Sequence, residues 1–244
     1  MVNQSVHTAY LNEKATTYDE RRFSQLSGQV VHNIELEMLN KVLPNLSQGA
    51  TILEVGCGTG RFLVEMAKKG YKIDGTDASP DMLLIAKNKV GEFVNNFQPL
   101  LGEASKLPYP SNGFDLTYCV RLLNQTESSH YALSVIDDMF RVTRENGYVL
   151  VEFMNYYRAP IRTRGAHHVL LRPQEVIDRA KACRGVSIWC EGAFFLNMGI
   201  FHMTPAPLLG GIGWIDRLMR NLLPRLCTRS YILFQKQSNH DFRV

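Results

Sequence analysis

Apolar positions recur at helical spacing between about Ser24 and Leu43, at Leu26, Val30, Val31, Ile34, Met38, Leu39 and Val42, and Pro44 and Gly49 close that segment. Short β-branched runs then alternate with amphipathic stretches. Thr51–Val55 predicts a strand, and Phe62, Leu63, Met66 and Ala67 predict a helix that stops at Gly70. Tyr71–Thr76 predicts a second strand ending at Asp77, and Ser79-Pro80-Asp81 an N-cap with proline in the first turn of a helix reaching about Lys89. A short strand near Gln98–Leu101, a strand at Phe114–Cys119, a helix around Tyr131–Thr143, a Glu145-Asn146-Gly147 turn and a strand at Tyr148–Phe153 follow. Strands alternating with helices of this length indicate βαβ units, hence an α/β chain whose mostly parallel sheet carries helices on both faces.

The last third departs from this alternation. Arg172–Cys183 predicts a helix, and Val186–Glu191 and Tyr231–Lys236 predict the last two of seven strands. Between them lies an insertion, 193–229, rich in Phe, Leu, Met and Gly and interrupted by Pro205, Pro207, Gly210, Gly211 and Gly213. Its segment Trp214–Leu223 is amphipathic, with Trp214, Ile215, Leu218, Leu222 and Leu223 on one side and Asp216, Arg217 and Arg220 opposite. The apolar side is expected to pack on the sheet. A membrane surface or a partner subunit is the other reading of an arginine-bearing helix with a Trp edge.

The 244 residues suit one domain: 1–45 as N-terminal helices, 50–155 as the core, 156–229 as a substrate-side loop and the insertion, and 230–237 as the last strand. A net charge of +4 is too mild for a nucleic-acid footprint, and no apolar run is long enough to span a membrane. The N-terminal residues lack the basic-then-apolar plan of a signal peptide. The five cysteines (57, 119, 183, 190, 227) show no CxxC spacing, so reduced thiols in a cytoplasmic protein are expected.

Candidate chemistry gathers at the predicted strand ends, where ligands of such sheets sit. After Glu54 the chain reads Gly56-Cys57-Gly58-Thr59-Gly60 and then turns helical. Glycines allow positive φ and close approach of a ligand to the backbone. A dinucleotide fingerprint spaces its glycines G-x-G-x-x-G. Here they read G-x-G-x-G, and the acid before them opposes a pyrophosphate but suits an ammonium group. Asp77, just over twenty residues on, is placed to accept ribose hydroxyls; a solvated turn aspartate is the plainer reading.

The run Glu54–Gly60 resembles motif I of class I S-adenosylmethionine-dependent methyltransferases, a Rossmann-like fold. Asp77, then Gly102-Glu103-Ala104-Ser105 with Leu107-Pro108, then Phe114-Asp115 match further landmarks in order and spacing. The resemblance covers about residues 50–155 and points to the small-molecule branch that includes the quinone-ring enzymes. It implies a cofactor wall of Glu54, Gly56, Cys57, Gly58, Thr59, Gly60, Asp77, Ala78, Met82, Glu103, Ala104, Ser105 and Cys119. Glu103 would face the adenine amine, although aspartate is the commoner acid there. Asp115 is read as structural. Tyr18-Asp19-Glu20-Arg21-Arg22-Phe23 resembles the N-terminal lid, with Arg22 on the methionine carboxylate and Tyr10 and Tyr18 closing over the sulfonium or substrate; a solvent-facing charged helix start is the alternative.

S-adenosylmethionine is the cofactor so implied, leaving S-adenosylhomocysteine after in-line displacement at the methyl carbon. The protein's part is then chiefly orientation in a dry pocket, with a base needed only if the nucleophile must lose a proton. Near the acceptor, Arg121 is placed to hold an anionic group or to pair with a structural carboxylate, and Asn124 or Gln125 to bond a ring oxygen. Many relatives carry a histidine in this stretch; here the next is His130. His167 and His168, in the basic and aromatic loop from Asn155, and His202 in the insertion are the candidate general bases. No acid or cysteine at ligand spacing accompanies the paired histidines, so no metal site is expected. The expected partner is a small acceptor, apolar or anionic, with the insertion as its cap and with peripheral membrane contact as a further expectation. No nucleic acid is expected, and the oligomeric state is left open. A tRNA or protein methyltransferase is disfavoured by the absence of an N/D-P-P-Y/F tetrapeptide after the fourth strand. A noncatalytic protein that binds the cofactor remains an alternative, because fold alone never proves activity.

Overall fold

The computed structural model describes residues 17–95, 97–161 and 168–238. Seven strands, β1 (Thr51–Val55), β2 (Lys72–Asp77), β3 (Leu100–Leu101), β4 (Phe114–Cys119), β5 (Thr143–Met154), β6 (Gly185–Ala193) and β7 (Arg229–Lys236), form one sheet in the order β3-β2-β1-β4-β5-β7-β6. Only β7 runs against its neighbours, β5 and β6. The helices are α1 (Tyr18–Phe23), α2 (Leu26–Asn40), α3 (Arg61–Lys68), α4 (Pro80–Gly91), α5 (Ser129–Val142), α6 (Pro173–Ala182), α7 (Met198–Met203) and α8 (Leu209–Leu222).

The two-residue repeat of strands splits the core between the faces of the sheet. Ile52, Leu116, Tyr118, Leu150, Tyr231 and Leu233 pack under α2, α3, α4 and α7 with Met38, Phe62, Leu83 and Phe201. Their neighbours Leu53, Cys119, Val149, Val151, Ile232 and Phe234 pack on the other face with Ile136, Met139, Phe140 and Val176 of α5 and α6. The expected bounds of β1 and β4 agree to the residue. Ser79 caps α4 as its sequence suggests, its hydroxyl accepting from the Met82 amide.

The expected Glu145-Asn146-Gly147 turn lies inside β5 instead. Register with β4 jumps from Phe114 opposite Thr143 to Leu116 opposite Tyr148, so the extra residues bulge, with Asn146 at a φ of 60°. Asp115 holds the start of β4: it accepts from the amide and hydroxyl of Thr51, both at 2.7 Å, and from Arg144. The structural reading of Asp115 stands on those bonds.

The insertion corrects one expectation. In α8 the polar side faces the protein: Asp216 is fully buried and Arg220 is 3% exposed, while Trp214 and Leu222 are each 65% exposed. Asp216 accepts from the Leu196 amide at 2.8 Å, and Arg217 and Arg220 both reach Glu37 on α2. Partners for charge lay beneath the helix, and the apolar side was left outside.

At the far end of the sheet, the Lys236 ammonium donates to the Asn112 side chain and to the carbonyls of Phe140 and Thr143. These bonds pin β7 to the α5–β5 junction. Lys236→Met keeps the stem but leaves those acceptors unpaired, so a loss of about 1–3 kcal/mol is expected, read as a lower urea midpoint at unchanged slope.

Candidate functional site

The chain leaving β1 folds back onto β2, because the amides of Gly56 and Cys57 both donate to the Thr76 carbonyl, at 2.8 and 3.0 Å. The Gly58 amide donates to Asp77 Oδ2 and the Ser79 amide to Asp77 Oδ1, each at 2.9 Å. One carboxylate therefore shapes both the glycine turn and the entry to α4. Gly60 caps α3 with a φ of 75°, and a Cβ there would lie 3.0 Å from that of Ala86 on α4. Gly58, at a φ of 53°, faces open space.

That space is a cavity of about 490 Å³ at the carboxyl ends of β1, β2 and β4 and beside the loop after β3. Of the residues expected from sequence, Tyr18, Glu54, Gly56, Cys57, Gly58, Thr59, Asp77, Ala78, Met82, Glu103, Ala104, Arg121 and Gln125 line it, while Asn124 does not. Several others do not. Cys119 points to the opposite face of the sheet from Tyr118, fully buried under α5, where burial pushes its thiol up to about 12. Gly60 is turned under α4. Ser105 stands behind the wall, its hydroxyl donating to Glu103 at 2.8 Å. Arg22 is exposed, with its guanidinium 5.3 Å from the Tyr18 ring centroid.

The histidines also lie away from the cavity. His202 is exposed on α7, its Nδ1 3.1 Å from the Ser27 hydroxyl of α2, and His168 is exposed with its Nδ1 3.3 Å from the Asn124 carbonyl. His167 lies outside the described residues, as do Tyr10, Arg162 and Arg164. The wall includes Val120, Leu122 and Thr126 from the segment after β4 that holds Arg121 and Gln125, and Phe62, Leu101, Glu127 and Tyr131, which sequence reasoning missed. Phe62 and Tyr131 lie in the first turns of the helices that follow β1 and β4, a position that could have flagged them.

Two buried glutamates set the electrostatics. Glu54 is 2% exposed and sits opposite Tyr118 in the β1–β4 register, accepting its hydroxyl at 3.0 Å. Burial outweighs that bond and raises the carboxyl to about 8. Glu35 of α2 is fully buried too, but it is clamped by Arg121 and Arg61. Burial pushes it up, the two guanidiniums push it down further, and it settles at about 2. Arg121 has a φ of 61°, a strained value for a side chain with a Cβ, and its amide donates to buried Glu152 at 2.6 Å. Of the two readings of Arg121, pairing with a structural carboxylate is the one present.

The short helix α1 closes over this wall. Asp19 accepts from the Thr59 hydroxyl at 2.8 Å and pairs with Lys89 of α4. Arg61 lies 4.4 Å from the Phe23 ring centroid and 3.9 Å from that of Phe62.

Residues 52–147 match a family model described as a methyltransferase domain. The chain is 37% identical over 112 residues to a demethylmenaquinone methyltransferase of Bacillus licheniformis, covering 44% of this chain and 46% of that one, so it spans about half the length of that relative. It is 29% identical over 224 residues to a demethylmenaquinone methyltransferase of Tropheryma whipplei, covering 84% and 88%. Among solved structures, magnesium protoporphyrin IX methyltransferase of Synechocystis PCC 6803 with bound SAH superposes with a TM-score of 0.65 at 12% identity, covering 97% of this chain and all of that one. That likeness shows a shared Rossmann-like fold.

The two glutamates make opposite predictions for stability. Glu54 holds its proton to about 8 in the folded state against about 4.5 unfolded, so its burial becomes unfavourable as pH rises between those values. Glu54→Gln should therefore gain on the wild type across that window, by on the order of a few kcal/mol, and no further above it. Glu35 contributes fully above about 4.5 and loses its contribution as pH falls toward 2. Glu35→Gln should be destabilised by about 3–5 kcal/mol at neutral pH, with the gap closing in acid. Thermal melts of the three proteins across pH check both signs.

Proposed function

We propose that this chain is a class I S-adenosylmethionine-dependent methyltransferase, a reading that its matched methyltransferase domain and relatives support, and that it transfers a methyl group from that cofactor to an O, N or C nucleophile of a small organic acceptor. One observation carries the reading: Glu54, the Gly56–Gly58 turn, Asp77 and Glu103, from neighbouring strand ends, all line one cavity. When bound, S-adenosylmethionine supplies a methyl group on a positively charged sulfur.

The residues divide the cofactor between them. Glu54 is buried with its proton and gives it up to face the ammonium group, an exchange that puts a full charge pair in a dry place. Asp77 accepts the Gly58 amide on one oxygen and the Ser79 amide on the other, which fixes the carboxylate that would face the ribose hydroxyls. Glu103, steadied by Ser105, and Ala104 receive the adenine. Tyr18, on α1, acts as part of the lid.

The acceptor meets Phe62, Val120, Leu122, Gln125 and Tyr131. Because Arg121 already faces Glu35, it orients rather than neutralises, which favours an apolar or aromatic acceptor over an anionic one. Relatives named for demethylmenaquinone support a quinol-like ring. Catalysis on this reading rests chiefly on holding nucleophile and methyl in line within a water-poor pocket.

Titration calorimetry with S-adenosylmethionine tests this. Asp77→Ala removes the acceptor for two amides and the ribose, and Gly58→Ala adds a methyl group toward the cavity at a strain of about 1–2 kcal/mol. Both are expected to stay folded and to lose binding. Unchanged affinity in either would overturn the assignment of this cavity. Repeating wild-type titrations near pH 7 in buffers of different ionisation enthalpy should show close to one proton released per cofactor, and Glu54→Gln should show none. A methylation screen over quinols, phenols, carboxylates and amines then identifies the acceptor class.

A further inference from the structure

Helices α7 and α8 and the turn between them leave large apolar side chains exposed to solvent. Met203 is 85% exposed, Leu208 61% and Trp214 and Leu222 65%, with Ile215 and Leu218 between them. On α8, Trp214, Ile215, Leu218 and Leu222 fall within an arc of about 100° at the helical repeat. A monomeric protein rarely exposes so much apolar surface without a use for it.

Charge around this surface chooses its occupant. Residues 194–228 contain Arg217, Arg220 and Arg225 against a single acid, Asp216. Asp216 is buried on the inner side, so no carboxylate from this segment faces outward. Glu37 and Glu191, the nearby acids of α2 and β6, are neutralised by Arg217 and Arg220 and by Lys41. Arg225 is exposed just beyond the helix, and the Arg217 side chain is 64% exposed beside the Trp214 edge. The arrangement is an apolar stripe with arginines at its rim and an indole at its border, the makeup of a helix that lies in a lipid–water interface. No helix among the described residues is long and apolar enough to cross a bilayer. A second copy of the chain fits poorly, because a two-fold contact through this patch would bring two net-positive rims together.

We propose that the outer faces of α7 and α8 seat the protein on an anionic lipid surface, with Trp214, Leu218 and Leu222 in the acyl boundary and Arg225 against the headgroups. The proposal does not depend on the catalytic reading, and its test uses no cofactor.

The full chain is sedimented with vesicles of phosphatidylglycerol and phosphatidylcholine in equal parts, and with phosphatidylcholine alone. The expected result is strong co-sedimentation with the anionic vesicles, weaker binding to the neutral ones, and release by salt. Arg225→Gln should weaken anionic binding about fivefold. A Trp214→Ser, Leu218→Ser double variant should lose binding while keeping the wild-type melting temperature, since both side chains are exposed. The chain has two tryptophans, so in Trp189→Phe the emission of Trp214 alone should shift to the blue on anionic vesicles. Failure of the wild type to bind either vesicle, or equal binding by the double variant, overturns the proposal. So does a wild-type dimer in sedimentation velocity that the double variant makes monomeric, which would give the surface to a second copy.

Discussion

A carboxylate with no access to water holds the ligand side of this molecule together. Glu35 bonds Arg121, from the loop after β4, and Arg61, from the first turn of α3. Three segments distant in sequence thereby meet at one point above the sheet. Burying a lone carboxylate would be prohibitive, so each element is committed to the others. The clamp also stabilises Arg121 in its left-handed conformation, with Glu152 accepting its amide from below. Through Arg61 it reaches Phe23 of α1, so the covering helix is fixed partly by the same charge.

Glu54 and Glu35 are equally deprived of solvent and end up in opposite protonation states. The difference is the partner: a neutral phenol for Glu54, two guanidiniums for Glu35. Glu35 is spent on structure. Glu54 retains an unmet demand for a cation, and it faces the cavity. Pairs of like groups driven apart by their surroundings mark where chemistry is done, and here they separate the frame of the site from its working wall.

Much of this was legible in sequence because the signals are local. The β-branched run into Glu54, the alternate glycines, Asp77 and the Glu103-Ala104 pair each sit at a strand end, and their neighbours in sequence are their neighbours in space. Cys119 was misplaced because a one-residue step along a strand switches faces, and resemblance to a motif does not carry that parity. The histidines were candidates by chemistry alone; their positions are set by long-range contacts, such as that of His202 with Ser27, which leave no trace in spacing. Glu35 was invisible for the same reason. Its helix reads as amphipathic whether its acid faces water or two arginines.

The orientation of α8 shows the same limit more sharply. Its hydrophobic period is plain, and the usual rule turns the apolar face inward. Here the inward face carries Asp216 and Arg220, and not all of their polar atoms are satisfied: among the described residues Asp216 Oδ2 and Arg220 Nε and Nη1 find no hydrogen-bond partner. Burying such groups opposes folding in water, and exposing Trp214 and Leu222 opposes it again. A helix that loses on both sides in water is matched to surroundings that are not all water. The segment also reaches the site, since Met198, the first residue of α7, places its sulfur 3.1 Å from the Arg121 guanidinium. None of the residues lining the cavity comes from this stretch, so it bears on the site only through Arg121.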